Sequence, residues 1–412
     1  MNQEIEQYID GQAREDICPI ILEELDNHIP PSENAKAVNF VGFFWSEAKA
    51  ISVVFWPKGM ELNIATKDSA YKLQKTLRKY GSSAMSGIEA AAEHSCISCP
   101  KMDLLDDYFQ SGIYENREPR YGKNVKGKID WARTVKLGKA HLNSLGTPIY
   151  LDTINSQNAP VVSEVTQIHR KMVRDAYRAF QWILGDQTID DEIAKTKYHY
   201  SKNYARKLLT QELSSQYSQV KVRKLQLMLN VLDENENRGD SSSRLIGTSK
   251  FEFVWEKMCS VYFGNESSNY IDVATPAYVK SNEIFKVRGN RPKPDIVISS
   301  GESIAIIDAK YYDFKVSKPS WPDLVKQFFY AKAFEHGYSQ RKVSNYLVMP
   351  KTQSNYEKVV VIGKDNQPMN TEFSPIKLIF LQPIDVIDHY LRGTTNEVTR
   401  SQALHQELAK TA

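Results

Sequence analysis

Two short, almost wholly apolar runs separated by a three-residue turn constrain this chain more than any other feature. They are Asp295-Ile-Val-Ile-Ser299 and Ser303-Ile-Ala-Ile-Ile-Asp308, with Ser300-Gly301-Glu302 between them. Short runs rich in β-branched residues and bounded by turn residues read as strands, and a turn this tight makes them a hairpin. The inner positions of both runs are apolar throughout rather than alternating, so both faces of the hairpin are expected to be covered. The neighbours supply the cover. Phe251, Val254, Trp255, Met258, Cys259 and Tyr262 follow the spacing of a helix with one apolar stripe. A second helix is expected over 322–336, with Pro322 near its start. Strands are expected at 344–349, 358–362 and 376–381. Helix, hairpin, helix, strands is the order of an α/β sandwich on a mixed sheet.

The polar, glycine-punctuated stretch 233–243 reads as a linker. It sets expected boundaries of 1–235 for an N-terminal region, 236–248 for the linker, 249–395 for the α/β domain and 396–412 for a C-terminal tail. The N-terminal region reads as mixed and helix-rich. Strands at 38–45 and 51–62 would form a hairpin across Ser46-Glu47. A helix over 67–79 would end at Gly81, one over 164–184 has a single apolar face, and one over 204–232 is interrupted near Ser214.

Other classes are excluded quickly. At 412 residues the chain is long enough for two or three domains, and 41% hydrophobic with 25% charged residues is ordinary globular usage. No apolar run approaches the ~18 residues needed to span a bilayer, so no membrane partner is expected. The opening Met1-Asn-Gln-Glu-Ile-Glu6 is acidic, which argues against a signal peptide. Four cysteines are too few for a disulfide framework, and a reducing cytoplasm is the expected location. Net charge is only +3, so any nucleic-acid surface must be local. Cys96-Ile-Ser-Cys99 with His94 has zinc-like spacing, but no second Cys or His pair follows it.

The chemistry sits on the hairpin. Twelve residues separate Asp295 from Asp308, and on adjacent antiparallel strands that spacing can bring the two side by side. Paired carboxylates repel, and a hard divalent cation such as Mg²⁺ removes the conflict. Lys310 lies two residues beyond Asp308, on the same strand face. An amine there can orient or deprotonate a water, or stabilise charge on a phosphorane-like transition state. Two carboxylates and a lysine around a metal are a toolkit for phosphodiester hydrolysis.

Pro294-Asp295 followed by Asp308-Ala309-Lys310 resembles the signature of the PD-(D/E)XK nuclease superfamily. The resemblance implies a restriction-endonuclease-like sandwich, Mg²⁺ held by Asp295 and Asp308, and Lys310 as the residue that prepares the attacking water. It also implies a further acidic ligand on the preceding helix, Glu256 or, one turn earlier, Glu252. The Ala309 carbonyl is a further candidate ligand. Gln327 in Gln327-Phe-Phe-Tyr330 looks like the Gln/Tyr signature that follows the lysine in several branches, where it could hydrogen-bond backbone or DNA. Phe251–Cys259, Lys293-Pro-Asp295, Asp308-Ala-Lys-Tyr311, Lys326–Tyr330 and, upstream, Gly127-Lys-Ile-Asp-Trp-Ala-Arg-Thr134 together look like LlaJI-type restriction endonucleases and the related McrC nuclease subunits. That likeness implies site-specific cleavage of double-stranded DNA to 5′-phosphate and 3′-hydroxyl ends. It also implies partners: a McrB-like GTP-hydrolysing AAA+ subunit or a cognate DNA methyltransferase, since the chain carries no phosphate-binding loop of its own.

The N-terminal region would then recognise DNA or dock a partner. Between Arg117 and Lys139, eight basic residues stand against two acidic ones, interleaved with Tyr121 and Trp131. Lys126, Lys128, Trp131, Arg133 and Lys136 are the candidate DNA contacts. A second basic helix is expected over 195–207. Three readings stay open: an autonomous restriction endonuclease, a McrC-like subunit that cuts only with its GTPase, and a DNA-binding or assembly subunit whose nuclease fold is inactive. A homodimer suits the cutting of two antiparallel strands.

Overall fold

The computed structural model describes residues 5–31, 35–46, 51–63, 65–84, 99–237, 243–270, 274, 277–280, 283–286, 293–352 and 354–404. The chain is mixed α/β and divides into two units, one made of 1–98, 182–186 and 241–412, the other of 99–181 and 187–240. Among the described residues no helix is long and apolar enough to cross a membrane.

The first unit opens with β1 (Ile5–Ile9), α1 (Pro19–His28), β2 (Val41–Ser46), β3 (Ile51–Trp56) and α2 (Lys67–Ala84). β2 and β3 pair antiparallel as their apolar runs predict, and β1 adds parallel to β3. Phe40, Phe44, Val53 and Phe55 pack with Ile21 and Leu25 of α1 into the core of this sheet. α2 runs through Gly81 rather than stopping there. Its end lies three residues further on, so the glycine is an interior helical residue and not a cap.

The second unit holds α3 (Pro100–Ser111), β4 (Asn116–Lys123), β5 (Lys128–Ile129), α4 (Trp131–Leu137), β6 (Ala140–Leu142), β7 (Pro148–Tyr150), β8 (Ile154–Val161), α5 (Glu164–Phe180), α6 (Asp191–Ala194), α7 (Lys202–Ser215) and α8 (Gln219–Asn237). β4, β8 and β5 form a three-stranded sheet, and α3 packs on α5 and α8. α5 ends at Phe180, short of the expected 184, because Trp182 returns to the first unit and meets Phe43 edge-on with ring centroids 6.2 Å apart. The break expected near Ser214 separates α7 from α8. The expected basic helix over 195–207 begins only at Lys202, where the Ser201 hydroxyl accepts the Tyr204 N–H and caps it.

The chain then returns to the first unit with β9 (Ser243–Thr248), α9 (Phe251–Phe263), β10 (Ala277–Lys280), β11 (Glu283–Lys286), β12 (Ile296–Ser300), β13 (Ser303–Ala309), α10 (Trp321–Gly337), β14 (Lys342–Pro350), β15 (Lys358–Val359), β16 (Ile376–Leu381), α11 (Pro383–Arg392) and α12 (Glu397–Ala403). Three expected boundaries need correction. Residues 236–248 are not a linker, since α8 extends to Asn237 and β9 pairs antiparallel with β2 along its whole length. The expected 1–235 region is divided between the two units. The expected tail carries α12, tied down by Arg400, which donates to the carbonyls of Phe263 and Gly264 at 2.6 and 2.7 Å. Residues 405–412 lie outside the described residues.

The second sheet runs β12-β13-β14-β16-β15. β12 and β13 form the expected antiparallel hairpin, while β13, β14 and β16 are parallel, with α10 as the crossover between β13 and β14. Ile304 and Ile306 face Phe334 of α10, and α9 packs against β12 and β13. β13 is therefore covered on both sides, with six of its seven residues buried, as its unbroken apolar run requires.

Candidate active site

In the hairpin register Ile296 faces Ile307. Carried one residue further, the same register sets Asp295 opposite Asp308 at the end of β13. Asp308 is only 7% exposed, so the sheet ends on a buried carboxyl. Lys310 lies on the same side, its Nζ 2.7 Å from Asp308 Oδ2. The Ala309 N–H donates to Asp295 Oδ2 at 3.0 Å, which fixes the second carboxyl across the strand gap.

The electrostatics follow from this crowding. Burial pushes the Asp295 pKa far above the carboxylate range, and the charge of Asp308 with a hydrogen bond between the two carboxyls adds to the rise. Burial alone would lower the Lys310 pKa, but Asp308 more than offsets it and holds the ammonium at about 12. Lys310 is thus a fixed positive charge through neutral pH. Glu256 on α9 is half-buried, and its pKa is raised by burial, with Lys310 opposing and Asp308 and Glu252 reinforcing. Glu256 belongs to the same electrostatic neighbourhood. Among the described residues no three His, Cys, Asp or Glu side chains are gathered closely enough to hold an ion unaided.

A residue that sequence reasoning passed over holds this arrangement. Asn265, just past the end of α9, donates from its amide to the Asp295 carbonyl at 2.9 Å and accepts the Val297 N–H at 3.0 Å. It brackets the start of β12 and so sets where Asp295 emerges. The only signal was Gly264-Asn265 as a helix stop, and Gly264 does adopt the left-handed cap conformation. Tyr330 of α10, part of the Gln/Tyr resemblance, is half-buried, and its pKa is raised by burial and then by the charges of Asp308 and Asp295.

Gln327 has no route to DNA. It is fully buried, and its amide donates to Asn345 Oδ1 at 2.7 Å and to the Tyr346 carbonyl at 3.0 Å. It fastens α10 to β14.

The basic stretch 117–139 forms most of β4, with β5 and α4, in the second unit. Lys126, Lys128, Trp131, Arg133 and Lys136 are all exposed, with Trp131 at 58%. The Asp130 side chain caps α4 by accepting the Arg133 N–H at 3.0 Å. Arg133 also stacks on Tyr121, its guanidinium carbon 3.4 Å from the ring centroid. Cys99 is buried at the start of α3, and His94 and Cys96 lie outside the described residues.

A chain from the refined half-complex of the tetradecameric assembly of Thermococcus gammatolerans McrB AAA+ hexamers with bound McrC aligns over 95% of this chain and 99% of its own length, with a TM-score of 0.40 and 10% identity. The Type II restriction enzyme BsuMI component YdjA of Bacillus subtilis (strain 168) is 23% identical over 330 residues, 73% of this chain and 70% of the relative. The model of the LlaJI restriction endonuclease family matches residues 40–382, a span that takes in the first sheet, the whole second unit and the Asp295–Lys310 hairpin. With most of its length matched, site included, the chain belongs to the LlaJI restriction endonuclease family.

Proposed function

We propose that the chain is a Mg²⁺-dependent endonuclease that hydrolyses phosphodiester bonds of double-stranded DNA at specific sites, its catalytic centre a PD-(D/E)XK sandwich built on β12 and β13. The observation that carries this reading is the meeting of two facing carboxyls, Asp308 buried and Asp295 half-buried, and a bonded lysine at one end of the sheet. Asp295 and Asp308 would hold the ion, with Glu256 and the Ala309 carbonyl as further ligands. The donor set fits the ion: the carboxyl pair carries negative charge that Lys310 offsets in part, and Mg²⁺ takes one or two carboxylates and fills its shell with water and phosphate oxygens. Bound there, Mg²⁺ would supply Lewis-acid stabilisation and acidify a water.

The chain's own groups do the rest. Asp308 anchors the Lys310 ammonium. That ammonium, keeping its proton at neutral pH, orients a water by donating to it and offsets charge that builds on the phosphate. The Ala309 N–H and Asn265 fix the two ends of Asp295. Lys126, Lys128, Trp131, Arg133 and Lys136 offer exposed cations and an aromatic ring to the DNA backbone.

A relative described as a component of a Type II restriction enzyme supports a role among several subunits. A McrB-like AAA+ GTPase, a cognate methyltransferase and a second copy of this chain are the proposed partners, and the cytoplasm the proposed location. The test is plasmid cleavage by wild type and Asp308→Ala, with Mg²⁺ or EDTA, each with and without the neighbouring gene products and GTP. Discrete fragments are expected from wild type, with the rate falling by about a hundredfold or more in Asp308→Ala and cleavage abolished by EDTA. Cutting only with a partner and GTP would give the McrC-like subunit. DNA binding without cutting under every condition would overturn the enzyme reading and leave a recognition subunit.

A further inference from the structure

Two strand ends remote from the hairpin in sequence close on the residue next to Lys310. β1 and β3 are parallel with Ile9 beside Trp56, so Asp10 and Lys58 leave the sheet at the same edge. The Asp10 N–H donates to the Trp56 carbonyl at 2.8 Å and keeps them there. Tyr311 lies against this edge. Its hydroxyl accepts the Lys58 N–H at 2.8 Å, and Lys58 Nζ sits 4.6 Å from its ring centroid. The ring packs on Phe251 and Trp255 of α9, with centroids 5.2 and 6.3 Å away.

Asp10 is the odd member. It is 3% exposed, its Oδ1 accepts the Phe40 N–H at 3.2 Å, and Lys58 Nζ lies 3.8 Å from its Oδ2. Asp10 and the Tyr311 hydroxyl are close enough to shift each other's proton affinity. A buried carboxylate adds little to the stability of a sheet that apolar residues would pack as well or better. Its charge faces a tyrosine whose backbone is continuous with Lys310. Lys310 is held at its own N–H by the Val348 carbonyl (2.8 Å) and at its amine by Asp308.

We infer that Asp10 and Lys58 are positioning residues for Lys310, acting through Tyr311: the edge of the first sheet fixes the residue after the lysine and thereby the line along which the lysine extends. The inference rests on the nuclease reading for its effect on rate, but not for its effect on geometry. It makes the N-terminal sheet part of the catalytic centre rather than a separate recognition module. Misplacing a reacting group through a remote contact costs up to about a hundredfold in rate.

The experiment uses the full-length chain with whatever partners support cleavage, and compares wild type, Tyr311→Phe, Asp10→Asn and Tyr8→Phe. Tyr311→Phe removes only the hydroxyl, so the ring keeps its packing. Tyr8→Phe is the control, removing a hydroxyl from β1 that bonds Glu6 instead. One readout is kcat and KM for plasmid cleavage. The other is the ¹³C resonance of reductively dimethylated Lys310, assigned with Lys310→Arg. Tyr311→Phe and Asp10→Asn should lower kcat about ten- to a hundredfold with KM within about twofold, and both should move the Lys310 resonance. Tyr8→Phe should change neither. An unmoved Lys310 resonance in Tyr311→Phe, or a change confined to KM, overturns the inference. If wild type cuts under no condition the nuclease reading falls, and the resonance alone then decides the positioning.

Discussion

His169 is wholly buried in the second unit, with Nδ1 accepting the Tyr114 N–H at 2.8 Å and Nε2 without a partner among the described residues. Burial pulls its pKa down to about 3, and the nearby Lys224 ammonium adds to the fall. The unfolded chain, with an ordinary imidazole near ~6.5, binds the proton more readily. Stability from this site is therefore full above about pH 6.5 and is lost as pH falls below it toward 3, to a limit of about 5 kcal/mol. Denaturant midpoints at pH 5 and 7.5 should differ clearly in wild type and much less in His169→Gln, which keeps an acceptor for Tyr114 but cannot titrate. An equal difference in both would refute the assignment. At this scale the sequence was most informative for Asp295, Asp308 and Lys310, because strand alternation and one short turn decide where they point. It was silent on Asn265, Tyr311 and Asp10, whose partners lie 30, 253 and 30 residues away.

Elements owe their joints to groups that periodicity does not weigh. The Gln327 amide bonds to the central strand β14, and Gln327→Leu would strand the Asn345 side chain and the Tyr346 carbonyl beside it. An unsatisfied buried polar group costs about 1–3 kcal/mol, so thermal unfolding should show a loss of that size. A loss no larger than that of an exposed control such as Lys326→Leu would refute the joint. A sharper constraint sits in the first sheet. Gly42 has a φ of 151° and pairs with Gly247 of β9, and a Cβ on Gly42 would lie 2.2 Å from the Ile246 carbonyl oxygen. Gly42→Ala must push β9 off β2, with an expected loss of roughly 3 kcal/mol or more in denaturant titration. Helices and strands with strong apolar patterns were legible: α5, α9, β12, β13 and β14 stand within a few residues of where the pattern puts them. The end of α2 and the start of α7 were not, since Gly81 needs no cap in mid-helix and the 195–201 charges carry no turn chemistry.

For the molecule as a whole, the polar stretch near 240 looked like a boundary between domains, and β9 shows that it is a return into one. Residues 249–412 expressed alone would lack β1, β2, β3 and β9 and leave Tyr311 without its clasp. That fragment should be insoluble or lack cooperative unfolding by circular dichroism, whereas soluble, cooperatively unfolding protein would show that the C-terminal part is independent. The sequence by itself determined the hairpin, its flanking helices and the three charged groups at its end, because those follow from local alternation, apolar runs and turn length. Only the tertiary structure decided that the first and last parts of the chain build one unit, that the basic stretch belongs to another, and that Asp10 and Lys58 stand behind the lysine. Those outcomes depend on the pairing of β2 with β9 across about 200 residues and on the Lys58–Tyr311 contact across 253, and which distant edge accepts a strand is written in no single segment.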